Sequence, residues 1–405
     1  MYIYILFLIS ILLLGSIYVG PISLRVFATL SMIGYLLLHI NEVRKKANNS
    51  YITTYILYII LLGIALVFNG DFTSYGYVKQ VLAFFLVAIV AYYATVYFIK
   101  TYKDITPIYV TLIAILILTS VVTILQFNGN PIGWQLGLWF NDLHAGLEEK
   151  IYNYEARQDN LLGASYAVGI FGHPVSNAMF IASIAILPIF QVIHNKSLIK
   201  RIVYLVIFAI GLVACFMTQQ RSAFFMLLVV SILSLVYFSR HKFVILLIGV
   251  LLVVLAWPTM QQLMVSDQLG RLSVANLQTD ETRQMLWSNA ELFILDNFLW
   301  GGPMTFIRLN EGLPPHNFFF SAFIYGGMFG GITLIYLFFK MCKDTILIVL
   351  KKRKTENYAV IFSVSLFLFL IQGLFHSGTL VDGEALIFVL LAVAITANKF
   401  KEQKQ

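Results

Sequence analysis

Uncharged apolar runs long enough to cross a lipid bilayer recur from the first residues of this chain to the last, and they leave little freedom in how it can fold. Backbone N–H and C=O groups in hydrocarbon must be satisfied within the protein, so such runs fold as helices packed side by side. Of 405 residues, 60% are hydrophobic and only 11% charged, with a mean hydropathy of +0.86. That balance excludes an ordinary soluble domain and predicts an all-α, polytopic membrane protein built as a single bundle. Hydropathy over a window of about 19 residues predicts twelve transmembrane helices, near 2–19, 24–40, 51–68, 79–99, 108–127, 174–193, 202–217, 222–239, 243–257, 316–339, 357–375 and 382–398. The first run has no basic segment before it and no small-residue cleavage site, so it reads as a retained helix.

Loops between the spans alternate in charge. One side holds Arg44, Lys45, Lys46, Lys100, Lys103, Lys196, Lys200, Arg201, Arg240, Lys242, Lys340, Lys343, the run 351–354 and the basic tail residues, making 19 Lys and Arg against 5 Asp and Glu. The other side holds 8 basic and 14 acidic residues. By the positive-inside rule both termini are cytoplasmic. The net charge of +8 is therefore a topology signal, and without a basic stripe interleaved with aromatics it argues for no nucleic-acid partner. Two longer loops, 128–173 and 258–315, face outward.

Several chemistries are missing from the pattern. Cys215 and Cys342 are too few and too far apart for a disulfide framework or a metal site. No His/Cys/Asp set has metal-ligand spacing, no Gly-rich loop with lysine cradles a phosphate, and no Gly-x-Ser-x-Gly elbow presents a nucleophile. Neither metal nor cofactor is expected. The span interiors carry almost no charge, which disfavours ion-coupled transport.

Chemistry must then come from the few outward polar residues. Pro314-Pro315-His316-Asn317 opens an apolar run that continues through Gly326-Gly327 and Gly330-Gly331. An imidazole at a water–lipid boundary exchanges protons near neutral pH; a histidine bonded only to loop backbone is the plainer alternative. Asn317 either orients a substrate or caps the helix, and the glycines allow close helix approach. Arg221, in Thr218-Gln219-Gln220-Arg221-Ser222, either snorkels to the interface or grips phosphate with its paired donors. Arg283 follows Asp280 and Thr282, two candidate caps for an amphipathic helix running to about Phe298 and ended by Gly301-Gly302-Pro303. Met285, Leu286, Ala290, Phe293 and Ile294 would be its apolar face. A cation in the first turn opposes the helix dipole, which favours a ligand-facing role over a plain surface position. Gly172-His173-Pro174 opens the sixth span and is a candidate for the same cavity. His376, Asp382, His144, Glu148 and Glu149 are weaker candidates.

Taken together, Gly169-Ile170-Phe171-Gly172-His173-Pro174, Gln220-Arg221-Ser222-Ala223, Thr282-Arg283 to Trp287, Leu299-Trp300-Gly301-Gly302 and Pro315-His316-Asn317 resemble the O-antigen ligase and polysaccharide polymerase superfamily. The resemblance covers roughly 160–340, and the loop 258–315 is shorter than in many ligases. It implies a GT-C-like bundle and a metal-independent, inverting glycosyltransferase in the bacterial inner membrane. Its donor would be an undecaprenyl-diphosphate-linked glycan, held through the diphosphate by Arg221 and Arg283. His316 would activate the acceptor hydroxyl, with His173, Asn317 and Gln220 contacting substrate. The acceptor is a second lipid-linked repeat in a polymerase, the preferred reading, or lipid A-core in a ligase. A chain-length regulator protein is an implied partner of a polymerase. A glycolipid flippase is the alternative from another class.

Overall fold

The computed structural model describes residues 1–14, 17–19, 22–46, 50–141, 167–239, 280–351, 358–375, 380–381 and 383–402. The chain is helical as expected, with helices α1 (Tyr2–Leu12), α2 (Leu24–Leu38), α3 (Ile40–Lys46), α4 (Ser50–Phe68), α5 (Tyr77–Gln80), α6 (Leu86–Tyr102), α7 (Thr106–Phe127) and α8 (Pro131–Asn141). There follow α9 (Pro174–His194), α10 (Leu198–Met217), α11 (Arg221–Phe238), α12 (Asp280–Asp296), α13 (Pro303–Leu309), α14 (Phe318–Lys351), α15 (Tyr358–Gly373) and α16 (Ala385–Glu402). A π-helical turn, Val81–Phe85, joins α5 to α6.

Among the described residues, seven helical runs are long and apolar enough to cross a membrane: α4, the run 77–102, α7, α9, α10, α11 and α14. Four of the predicted spans are shorter apolar helices, and the run 243–257 lies outside the described residues. The largest departure is at the start. α1 has 11 residues, about 16 Å at 1.5 Å per residue, against a hydrocarbon layer of about 30 Å. Beyond it Tyr18–Val19 and Ile22–Ser23 pair as a small antiparallel ladder. Short apolar runs rich in β-branched and aromatic residues fit a strand as well as a helix, and hydropathy does not separate the two. Ser23 then caps α2 by accepting the Val26 N–H at 3.3 Å.

Burial divides the helices into centre and rim. Over their apolar windows, 78% of α9 is buried but only 17% of α10. Leu198, Ile199, Ile202 and Val203 of α10 are all more than half exposed. An apolar rim of this kind suits lipid, which does not penalise it as water would. At the centre α14 packs along α4 and α15, α16 along α6 and α15, and α9 against α7, α10, α11 and α15.

Contacts between helix ends define two ends of the bundle. At the basic end Tyr51 donates to Asp344, Lys340 lies over the Tyr51 ring, and the rings of Tyr109, Tyr204 and Tyr358 meet. At the opposite end Phe68 stacks on Trp300, the Phe318 N–H donates to the Leu374 carbonyl, and the Ala167 N–H to the Met217 carbonyl. The histidine and arginine candidates lie at this second end.

Candidate functional site

Residues far apart in sequence are fixed at this end by buried amides. Gln126, at the close of α7, is 2% exposed and uses its whole side chain. Its Oε1 accepts from Val168 and Gly169 N–H at 3.0 and 2.8 Å, and its Nε2 donates to the Gly133 and Gly169 carbonyls at 3.1 Å each. Asn177, fully buried in the first turn of α9, accepts from Thr119 at 2.6 Å and donates to Thr123 at 2.9 Å. Apolar packing alone would let the 167–173 turn slide; buried polar groups left unmatched by such a slide would each cost about 1–3 kcal/mol. The network therefore holds His173, the residue before Pro174, in one position. His173 itself is exposed.

The second wall is built from α12, α13 and the start of α14. Asn69 donates to the Trp300 carbonyl at 3.1 Å, and buried Asp71 accepts the Met304 N–H at 2.9 Å at the start of α13. Asn289 of α12 donates to Asn310 at 2.7 Å, and the Trp287 indole N–H to the Pro315 carbonyl at 3.0 Å. α12 runs as predicted, and Leu286, Ala290 and Phe293 are buried. Met285 departs from the expected apolar face, being 54% exposed.

The apolar run after Asn317 is not one continuous helix. At Gly327 the backbone adopts φ 60° and ψ −162°, and α14 breaks. The Gly302 N–H donates to the Ile324 carbonyl at 2.8 Å and the Met328 N–H to the Leu299 carbonyl at 3.3 Å. A Cβ on Gly327 would stand 2.2 Å from the Leu299 oxygen. The expected role of these glycines in close helix approach holds for Gly330, which faces Tyr58, Leu61 and Leu62; Gly327 instead admits the backbone of 299–302 into the helix.

His316, half-buried ahead of this broken helix, has φ 48°, an uncommon left-handed conformation for a non-glycine residue. Its imidazole is held below the ordinary histidine value of 6.5, first by burial and then by the neighbouring Arg283 and His173. Arg283 from α12 and His173 from the start of α9 are thus within electrostatic reach of His316 in the α13–α14 linker. Asn317 caps α14, its Oδ1 accepting from Phe319 and Phe320 N–H at 2.9 and 3.3 Å. Arg221 is half-buried at the first position of α11, which packs on α9. The turn before it is tight: Gln219 has φ 58°, and the buried Gln220 donates from Nε2 to the Thr218 carbonyl at 3.4 Å. His144, Glu148, Glu149, His376 and Asp382 lie outside the described residues, as do Lys150, Arg157 and Arg271.

Sequence reasoning passed over the clamp residues Asn69 and Asp71, which look like ordinary turn formers. It also passed over the neighbourhood of Arg25 and Glu384. Arg25, in the first turn of α2, has its guanidinium 5.5 Å from the Phe84 ring centre, and its charge acts on the Glu384 carboxylate ahead of α16. The apolar part of α16, Ala385–Asn398, has 14 residues, about 21 Å of rise, and Glu384 is the exposed residue just ahead of it. The signal available beforehand was a carboxylate within the predicted span 382–398. Among the described residues no cluster of three His, Cys, Asp or Glu side chains is arranged to hold a metal ion. No protein-family model matches the chain, and no curated protein matches it in sequence.

Proposed function

We propose that this chain is a metal-independent, inverting glycosyltransferase that polymerises undecaprenyl-diphosphate-linked oligosaccharide repeats on the outer face of the bacterial inner membrane. The observation that carries the reading is that His316 lies within electrostatic reach of Arg283 and His173 at one end of an apolar helix bundle. In this reading the acceptor hydroxyl attacks the anomeric carbon from the face opposite the diphosphate. His316 takes the hydroxyl proton, a role for which a lowered pKa keeps it unprotonated at neutral pH. The glycosidic bond to the diphosphate breaks, and Arg283 with Arg221 neutralises the charge left on the leaving group. His173 and Gln220 would line the substrate cleft, while Asn317 would orient the segment carrying His316. The charge asymmetry of the loops supports cytoplasmic termini, which puts this end of the bundle outside. A twelve-span GT-C-like bundle is part of the same reading, the short helices serving as partial or tilted spans.

The test is extension of a lipid-diphosphate-linked repeat by purified protein. His316→Ala is expected to lower the rate by roughly 10²–10⁴-fold, with Arg221→Ala and Arg283→Ala also impaired and all three variants folded. Extension only when lipid A-core is supplied would reassign the protein as a ligase. Transfer of lipid-linked glycan across vesicles without bond formation, indifferent to His316→Ala, would make it a flippase and overturn the proposal.

A further inference from the structure

The basic end carries a feature that the proposed chemistry does not use. A cavity of about 410 Å³ opens there between the end of α9, the α9–α10 turn and the start of α15. It is lined by Phe190, Gln191, His194, Asn195, Lys196, Tyr358 and Ile361. None of these seven is acidic. Lys196 supplies an ammonium, His194 an imidazole, Gln191 and Asn195 amide donors and Tyr358 a hydroxyl, which together form a donor set for phosphate oxygens.

Hydrogen bonds order the turn. Arg201 donates from Nε to the Asn195 carbonyl, and Asn195 Oδ1 accepts the Ser197 N–H at 3.2 Å. Two helices begin beside the cavity: α15 at Tyr358 on its wall, and α10 two residues after Lys196 with no side chain capping its N-terminus. Their positive ends add to the attraction for an anion. One ring behind the wall, the Tyr109 hydroxyl is buried and has no hydrogen-bond partner among the described residues, its ring centre 5.9 Å from that of Tyr358.

A free phosphate would need only the polar half of this site. The other half is apolar. Phe190 and Ile361 form a buried wall, and directly beyond Lys196 begins the rim face of α10, with Leu198 69% and Ile199 75% exposed. A ligand with a phosphate head and hydrocarbon tails matches both halves. We infer that the cavity formed by His194, Lys196 and Tyr358 at the basic end is a binding site for the phosphate headgroup of an anionic phospholipid whose acyl chains lie on α10. It is independent of the glycosyltransferase reading and would stand if that reading failed.

The experiment is native mass spectrometry of the full chain released from vesicles of phosphatidylcholine with phosphatidylglycerol. The wild type should retain phosphatidylglycerol in preference to phosphatidylcholine. Lys196→Ala should weaken that retention roughly tenfold, the equivalent of one charge-assisted hydrogen bond, with Lys196→Arg restoring it. Lys79→Ala, at the other end, should leave it unchanged. Equal retention of the two lipids, or equal behaviour of Lys196→Ala and Lys79→Ala, would overturn the site. Displacement of the lipid by millimolar glycerol phosphate would overturn the lipid assignment and make it a site for soluble phosphate. Melting temperatures of the variants separate loss of binding from loss of fold.

Discussion

Two places in the bundle depart from regular α-helix, and they are held in different ways. At Gly327 the interruption is filled by main chain: Leu299 and Gly302 exchange backbone hydrogen bonds with Met328 and Ile324 across it. At the π-helical turn Val81–Phe85 the helix keeps its own backbone bonds, the Leu86 N–H donating to the Val81 carbonyl, and the segment before α16 packs beside it through side chains. Tyr55 and Tyr58 donate to the Leu380 and Val381 carbonyls at 3.3 Å each, and Gly383 abuts Phe84 and Phe85. In both cases irregular backbone inside an apolar bundle finds partners within the protein, as the absence of water demands. The difference lies in stiffness. A main-chain splice has one register, and the first break positions the α12–α14 wall that carries Arg283 and His316. A splice made by tyrosine hydroxyls tolerates small shifts, and the second place lies beside Arg25, whose guanidinium faces the Phe84 ring.

This contrast is open to test. Gly327→Val should have the largest effect. A β-branched residue at φ 60° with its Cβ on the Leu299 oxygen cannot be accommodated without opening the splice. A loss of about 4 kcal/mol or more is expected, read as a fall in melting temperature together with loss of the His316–Arg283 arrangement. Gly383→Val should cost less, about 2–3 kcal/mol, because the close atoms there include the Phe85 ring edge and the Tyr55 hydroxyl. Equal melting temperatures for the two variants would remove the distinction between main-chain and side-chain splices.

Tyr55→Phe and Tyr58→Phe should each lower stability by about 1 kcal/mol and leave glycan extension intact, since both act at the second place. A selective loss of extension would join the two regions functionally. The smallest effect should be a pH shift. Neutral His316 is favoured by burial and by Arg283, so the acid limb of the rate profile should lie below 6.5. Arg283→Gln removes one of these causes and should move that limb upward toward 6.5 while burial keeps it from passing that value. The residual activity of this variant, measured from pH 5 to 8 as a rough range around the histidine pKa, checks it; an unmoved limb would detach Arg283 from His316.

Much of the architecture was legible beforehand. The runs of α4, α7, α9 and α14 declared themselves because membrane helices are specified locally: an apolar stretch of sufficient length has few other folds in hydrocarbon. Arg283 in the first turn of α12, and the cluster of polar residues before α14, followed from caps, glycines and prolines near them in sequence. The short α1 and the break at Gly327 did not. Hydropathy averages over a window and cannot see where a second segment replaces a helical hydrogen bond.

By itself, then, the sequence determined the class of the protein and the approximate course of its helices, because both depend on the transfer of side chains and peptide groups out of water, residue by residue. The tertiary structure decided which polar residues lie near one another. His316, Arg283 and His173 come from three separate segments, and Gln126, Asn177, Asp71 and the Leu299–Gly302 splice bond the segments around them. Those contacts join partners far apart along the chain, and only the packed bundle, where unmatched polar groups are too costly to leave, selects them.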